Sequence, residues 1–238
     1  NNVLQDLAAS VLDFADDKIF VILDTNTIEH CWPLIKGFRQ ISDDHILVIG
    51  TGEEHKSIAE VEKVWNFLGN QKADRKSLVI NIGAGLLTDL GGFAASTFKR
   101  GISFINIPTT LLAMVDASVG GKTGVNFRGL KNEIGVIQQP LHVFLSLPFL
   151  RTIDDENFKS GFAELLKAAL IADKDLWDKL KLYNLQERSE DELSVLLWQA
   201  VMIKKDIVTK DPNESGIRKA LNFGHTIGHA LESDGLKN

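Results

Sequence analysis

The sequence lacks the features of a disulfide-bonded or membrane-spanning protein. Its single cysteine, Cys31, cannot form an internal disulfide, which fits a reducing cytoplasm and predicts a small buried side chain at this position. No uninterrupted apolar run reaches ~18 residues, the length that a membrane-spanning helix needs. The first residues, Asn-Asn-Val-Leu-Gln-Asp, do not have the pattern of a secretory signal. These absences predict a cytoplasmic protein.

The sequence also lacks an excess of positive charge. Its net charge of −6 argues against general nucleic-acid binding, because phosphate backbones select basic surfaces. The segment from Lys99 to Lys131 is an exception, since five basic residues and one acid give it a charge of +4 and leave −10 for the rest of the chain. Surface lysines are often merely solvated. A basic cluster on an acidic chain also fits a small anionic ligand.

The first part of the chain alternates continuous apolar runs with helical patterns. Such alternation predicts right-handed βαβ units and a doubly wound, Rossmann-like parallel sheet, whose ligands bind beyond the carboxyl ends of the strands. The predicted strands cover residues 18–23, 45–49, 77–82 and 104–107, and the predicted helices cover 2–16, 27–38, 57–68 and 89–98. An α/β domain over residues 1–149 follows from this pattern.

Polar loops follow three of these strands. Asp24 ends the first strand, Glu53 and Lys56 follow the second, and the turn from Gly83 to Asp89 follows the third. We expect these loops to converge on one crevice, where the glycines would let backbone N–H groups approach a phosphate. The Gly83-Ala-Gly85 turn is not a full G-x-G-x-x-G fingerprint, so a purely structural turn remains an equal alternative.

A glycine-rich segment follows the fourth strand. Gly120-Gly-Lys-Thr-Gly124 resembles a phosphate-binding loop in composition, but Ala117 stands where the first glycine of G-x-x-x-x-G-K-[ST] is required. The interpretation as a nucleoside-triphosphate site therefore fails. What remains is a flexible backbone that brings Lys122 and Asp116 close to a polar group.

Strand patterns disappear after residue 150, and helical patterns replace them. This change predicts a second, all-α domain over residues 150–238. Its helices are predicted over 155–172, 174–183, 190–210 and 217–232. Glu164 and Lys167 lie one helical turn apart among apolar residues, so we expect the pair to point inward, against a metal or a ligand.

The last predicted helix carries a polar stripe. Arg218, Asn222, His225 and His229 are separated by four, three and four residues, so on an α-helix they lie along one face. Histidines one turn apart can share a metal, or one can bind a metal while the other binds a proton or an anion. Together, Glu164 and His225 would provide two of the three ligands of a catalytic zinc site. Solvated histidines remain the alternative.

These motifs together resemble the 3-dehydroquinate synthase family. The resemblance runs from about Asp24 to Glu232 with motifs in both halves in the same order, and it implies an N-terminal NAD-binding domain, an α-helical domain that binds zinc or cobalt, and a homodimer. The implied reaction, in the shikimate pathway, converts 3-deoxy-D-arabino-heptulosonate 7-phosphate to 3-dehydroquinate and phosphate. The motifs are Gly85-x-x-x-Asp89, Pro108-Thr-Thr110, Asp116 to Asn126, Lys131-Asn132, Glu164-x-x-Lys167, Lys204 and Arg218 to Ala230.

The resemblance also implies roles for individual residues. NAD contacts would come from Asp24, Glu53, Lys56, Gly85, Asp89, Thr109, Thr110, Lys131 and Thr152. Metal ligands would be Glu164 and His225. Substrate and catalytic contacts would come from Asp116, Lys122, Asn132, Lys167, Lys204, Arg218, Asn222 and His229, and Arg100 resembles an arginine lent to the neighbouring subunit's site.

The chain departs from the family pattern in two respects. Ala84 replaces the middle glycine of a Gly-Gly-Gly turn and places a methyl group near the cofactor's pyrophosphate. Family members continue beyond the last residue of this sequence by about a third of its length, a size that would complete the second domain. In the family, this additional segment normally holds a third metal-binding histidine. We therefore expect a truncated chain. Two other functions stay open: a related cyclase, of the 2-deoxy-scyllo-inosose or epi-valiolone synthase type, and a non-catalytic NAD-binding remnant.

Overall fold

The computed structural model describes residues 3–224 of the chain. The chain divides into two compact units, Asn1–Gly161 and Phe162–Asn238. In the first unit the elements are α1 (Val3–Ser10), β1 (Ile19–Asp24), α2 (Thr25–His30), α3 (Trp32–Ile35), β2 (Ile46–Ile49), α4 (Ile58–Asn70), β3 (Leu78–Gly83), α5 (Gly85–Thr97), β4 (Ser103–Pro108), β5 (Lys122–Phe127), β6 (Leu130–Ile137) and β7 (His142–Val143). Helix α6 (Asp155–Ala172) begins in this unit and continues into the second.

A five-stranded parallel sheet in the order β2-β1-β3-β4-β7 organises the first unit. All six residues of β1 and of β3 are buried, as the continuous apolar runs predicted. Helices α4 and α5 share a hydrophobic core with the sheet that includes Phe20, Val64 and Phe104. The predicted parallel α/β architecture is confirmed.

Three predicted helices of the first unit differ from the structure. The helix predicted over 2–16 ends at Ser10, and the one predicted over 27–38 is divided into α2 and α3 with a proline, Pro33, in the first turn of α3. Helix α5 begins at Gly85, four residues before the predicted start at Asp89. The Gly83-Ala-Gly85 turn therefore leads directly into this helix.

The glycine-rich segment is not a flexible loop. Residues 122–137 form an antiparallel hairpin of β5 and β6, and the interpretation of this segment as flexible backbone was wrong. Arg128 and Gly129 join the two strands with φ values of 50° and 82°. Two consecutive positive φ angles are typical of the type I′ turn, whose twist matches that of paired strands.

The second unit is helical over its described residues. After α6 come α7 (Lys174–Leu180) and α8 (Glu190–Lys210), close to the predicted limits, and a 3₁₀ helix over Ile217–Asn222. The prediction of an α-helix was wrong over these last residues. In a 3₁₀ helix positions four apart do not share a face, and Arg218 is accordingly 2% exposed whereas Asn222 is on the surface. His225 and His229 lie outside the described residues.

No helix in the described part of the chain is long and apolar enough to cross a membrane.

Candidate active site

The carboxyl ends of β1, β3 and β4 lie side by side and form an edge that we call the carboxyl edge. Asp24 ends β1, where its Oδ1 accepts hydrogen bonds from the backbone N–H groups of Asn26 (3.0 Å) and Thr27 (2.8 Å) and so caps α2. Thr109 donates its backbone N–H to the Gly83 carbonyl (3.0 Å). Asp24, the Gly83–Gly85 turn and Thr109 thus lie at the edge where the sequence predicted a crevice.

Cys31 lies next to two of these residues. The residue is 4% exposed. Burial and the nearby charge of Asp24 raise the pKa of the Cys31 thiol to about 11, although a hydrogen bond with Thr109 acts in the opposite direction. A thiol with such a pKa is neutral and unreactive near neutrality. The prediction of a small buried side chain is confirmed.

The N-terminus of α5 faces this edge without a side-chain cap. Ala84 occupies the N-cap position, and its side chain makes no capping hydrogen bond to the first turn. A Cβ atom at Gly85 would lie 3.3 Å from the Cβ atom of Ala117. The glycine therefore allows α5 to lie close to the single π-helical turn Ala113–Ala117, which carries the half-buried Asp116. Thr110 accepts a hydrogen bond from the N–H of Ala113 (3.2 Å).

Lys56 joins three elements at the same site. Its side chain is 7% exposed. The ammonium group donates to Asp89 Oδ2 of α5 at 2.6 Å and to Asn132 Oδ1 of β6 at 2.5 Å. A buried ammonium needs such partners, because an unpaired charge is costly to bury. The structure thus brings together two predicted cofactor residues and one predicted substrate residue.

Asn126 is a residue of this network that the sequence analysis did not single out. Its Nδ2 donates to Glu53 Oε1 (2.8 Å), its Oδ1 accepts from the backbone N–H of Asn132 (2.9 Å), and its own backbone N–H donates to the Lys56 carbonyl (2.8 Å). The only signal in the sequence was its place at the end of the glycine-rich motif.

Other predicted residues of the first unit are on the surface. Lys122 begins β5, Lys131 lies in β6 and Thr152 ends a 3₁₀ helix over Leu147–Thr152, and all three are exposed. Arg100 is also exposed but follows the other end of α5. A helix of that length spans about 20 Å, so the structure does not bring Arg100 to the carboxyl edge of its own subunit.

Glu164 and Lys167 form an ion pair on α6, with side chains 18% and 10% exposed. Apart from this contact, Glu164 Oε2 and Lys167 Nζ have no hydrogen-bond partner among the described residues. The prediction that the pair is held inward is confirmed. Residues 3–224 contain no group of three His, Cys, Asp or Glu side chains that could hold a metal. The assignment of His225 as a ligand stays a prediction.

The remaining predicted residues belong to α8 and the segment after it. Lys204 is 8% and Arg218 2% exposed, and the guanidinium of Arg218 donates to the Pro212 carbonyl at 2.6 Å. Asn222 donates to Glu214 Oε1 at 2.6 Å. Both Asn222 and Glu214 line a cavity of about 920 Å³ against Leu170 and Ile171 of α6.

Comparisons with known proteins identify the family. The model described as "3-dehydroquinate synthase N-terminal" matches residues 46–160, and the one described as "3-dehydroquinate synthase C-terminal" matches residues 161–237. The 3-dehydroquinate synthase of Parabacteroides distasonis is 48% identical over 235 residues, which cover 97% of this chain and 67% of that protein. The chain spans about two thirds of the length of the curated relatives it matches.

Two solved structures are similar to this chain in both fold and sequence. A 2-deoxy-scyllo-inosose synthase complexed with carbaglucose-6-phosphate, NAD⁺ and Co²⁺ has a TM-score of 0.83 and 26% identity, and the match covers 98% of this chain and 66% of that chain. The 2-epi-5-epi-valiolone synthase of Streptomyces hygroscopicus subsp. jinggangensis 5008, with NAD⁺ and Zn²⁺ bound, has a TM-score of 0.79 and 29% identity, covering 87% and 60% of the two chains. From the two matching family models and the 48% identical relative, this chain belongs to the 3-dehydroquinate synthase family.

Proposed function

We propose that the protein converts 3-deoxy-D-arabino-heptulosonate 7-phosphate to 3-dehydroquinate and phosphate. The observation that carries the proposal is the Lys56–Asp89–Asn132 network at the carboxyl edge of a chain in this family. It joins predicted cofactor and substrate residues through one buried ammonium group. Cofactor binding is assigned to residues 1–149 and Thr152, and metal and substrate binding to residues 150–238 together with Asp116, Lys122 and Asn132.

The carboxyl edge fits NAD. The first turn of α5 has no side-chain cap among the described residues, and a helix N-terminus with available N–H groups is suited to a pyrophosphate. We assign the nicotinamide cofactor to Asp24, Glu53, Lys56, Gly85, Asp89, Thr109, Thr110, Lys131 and Thr152. The cap of α2 uses one oxygen of Asp24, so we assign the other to the cofactor.

Glu164 fits a divalent metal. Its partly buried carboxylate has an oxygen, Oε2, that makes an ion pair with the Lys167 ammonium and has no other hydrogen-bond partner within residues 3–224. Carboxylate and imidazole are common zinc ligands. We assign Glu164 and His225 to the metal. Bound at these residues, NAD⁺ would supply reversible hydride transfer and the metal would supply polarisation of an alcohol.

Cationic and amide side chains, together with a histidine, bind and orient a substrate that carries a carboxylate and a phosphate. We assign this role to Lys122, Asn132, Lys167, Lys204, Arg218, Asn222 and His229, with Asp116 as an acidic partner. Charge-assisted hydrogen bonds from Lys and Arg are the strong contacts for such oxygens. Ring opening and aldol closure after loss of phosphate depend largely on holding the reacting groups in position.

We further propose a cytoplasmic homodimer in which Arg100 acts in the other subunit. The position of Arg100 after the far end of α5 supports this role, because a residue about 20 Å from the carboxyl edge is too distant to contact a ligand in its own subunit. Sedimentation velocity of the purified protein tests the dimer.

Phosphate release from three sugar phosphates tests the proposed reaction. With NAD⁺ and Zn²⁺ present, we expect turnover of the heptulosonate phosphate and none of glucose 6-phosphate or sedoheptulose 7-phosphate, because only the first carries a carboxylate for the cations to bind. Turnover of either of the others alone would assign the chain to a related cyclase. Binding of NAD⁺ without any turnover would favour the remnant.

A further inference from the structure

We infer that Asn126 is a positioning residue of the site, which fixes both Glu53 on the cofactor side and Asn132 on the substrate side. The inference rests on the proposed function and adds a residue to which that function gave no role. Three observations carry it: an irregularity in the hairpin, the hydrogen bonds of Asn126, and the position of Lys56.

The hairpin is irregular at Asn126. Val125 pairs with Ile134 and Phe127 pairs with Leu130, so Asn126 alone lies opposite the three residues from Lys131 to Glu133. Such a bulge bends a strand and re-aims its side chains. Asn132, in the middle of the bulge, has a φ of 55°, a conformation that asparagine tolerates better than most residues. The bulge thus contains two residues assigned to ligand binding, Lys131 and Asn132.

The side chain of Asn126 holds the bulge in this conformation. Its Oδ1 accepts the backbone N–H of Asn132 at 2.9 Å, which gives that N–H a partner although the regular ladder is interrupted. The Asn126 Nδ2 donates to Glu53 Oε1 at 2.8 Å. One carboxamide therefore connects the hairpin to the loop that follows β2, and it needs both its acceptor and its donor to do so.

The bulge places the side chain of Asn132 against Lys56. The Asn132 Oδ1 accepts from Lys56 Nζ at 2.5 Å, so the Nδ2 of the same carboxamide is left to donate to a substrate oxygen. The backbone N–H of Asn126 donates to the Lys56 carbonyl at 2.8 Å, which keeps Lys56 and the bulge at a fixed separation. If Asn126 were lost, the orientations of Glu53 and Asn132 would both be released.

Removal of the Asn126 side chain tests the inference. In Asn126→Ala we expect the Kd for NAD⁺ to rise roughly tenfold, which corresponds to about 1.4 kcal/mol, and hydrogen exchange at the Asn132 amide to accelerate. Asn126→Asp keeps the acceptor and loses the donor. It should retain slow exchange at Asn132 and still bind NAD⁺ weakly, because a second carboxylate next to Glu53 replaces the hydrogen bond.

Thr123→Val is the matched control in the same hairpin. Thr123 is 7% exposed, and its hydroxyl donates to the Val136 carbonyl at 3.0 Å, outside the bulge. This variant should lose stability without a change in NAD⁺ affinity or in exchange at Asn132. Equal NAD⁺ affinities for Asn126→Ala and Thr123→Val would overturn the role of Asn126 and leave the proposed function intact, whereas no NAD⁺ binding by the unmodified protein would overturn both.

Steady-state kinetics test the effect of Asn126 on substrate binding separately. In Asn126→Ala and in Asn132→Ala, we expect the KM for the heptulosonate phosphate to rise more than kcat falls, since the contact serves binding. The double variant should be little worse than either single variant, because both remove the same oriented carboxamide. Additive effects on KM would contradict the coupling.

Discussion

Among single residues, Asp211 shows how one carboxylate can determine the conformation of a segment. Its two oxygens accept backbone N–H groups from Ser215 (2.9 Å), Gly216 (2.7 Å) and Arg218 (3.1 Å). Burial opposes ionisation of Asp211, but the N–H groups of Gly216, Arg218 and Ser215 outweigh it and lower the pKa from 3.8 to about 2. The ionised carboxylate therefore holds Arg218 where the proposed function uses it.

We expect Asp211→Asn to lower the thermal stability of the protein. Because the folded-state pKa lies below the ordinary value, the stabilisation by Asp211 is present above that value and is lost as the pH falls through about 2. The difference in melting temperature between the unmodified protein and the variant should thus narrow on acidification. Asp206→Asn, at an exposed position of α8, is the control and should show no such narrowing. A difference that stays constant with pH would contradict the role of the charge.

Among the elements, those with continuous apolar runs could be predicted from the sequence and those at the site could not. Strands β1, β3 and β4 are buried along nearly their whole length, so their residue types are enough to identify them. Strand β6 is almost entirely exposed, and one glycine, Gly124, interrupts β5, so neither has the expected alternation. The bulge at Asn132 depends on a contact with Asn126 in the other strand, which no local pattern reveals.

Helix α5 gives a prediction about its close approach to the sheet. A Cβ atom at Gly91 would lie 1.9 Å from Asn81 Oδ1, and Asn81 is fully buried and donates to Asn106 at 2.9 Å. We expect Gly91→Ala to lower the free energy of unfolding by roughly 1–3 kcal/mol, the usual effect of overpacking. Gly69→Ala in α4, where no atom lies within 4 Å of the added Cβ, should instead raise it by roughly 0.5–1 kcal/mol. Urea titration measures both, and a stabilised Gly91→Ala would contradict the close packing.

At the scale of the whole molecule, the chain has two units with separate hydrophobic cores. The core of the first includes Phe20, Val64 and Phe104, and a smaller core of the second contains Ile207, Val208 and Leu221. The sequence predicted a change from mixed to helical structure near residue 150, and the division of the structure comes later, within α6. The residue pattern indicated only where helical periodicity takes over, whereas the division into units depends on which core each helix packs against.

Separate cores lead us to expect that NAD⁺ stabilises the two units unequally. A ligand that binds only the folded state at 100 times its Kd adds about 2.7 kcal/mol, so amides of β1 and β3 that exchange by unfolding of the first unit should exchange about 100-fold more slowly. Amides of α8 should be unaffected, because the proposed cofactor residues all precede Phe162. Hydrogen exchange with and without NAD⁺ measures both sets in one sample. Equal slowing in β3 and α8 would mean that the two units unfold together.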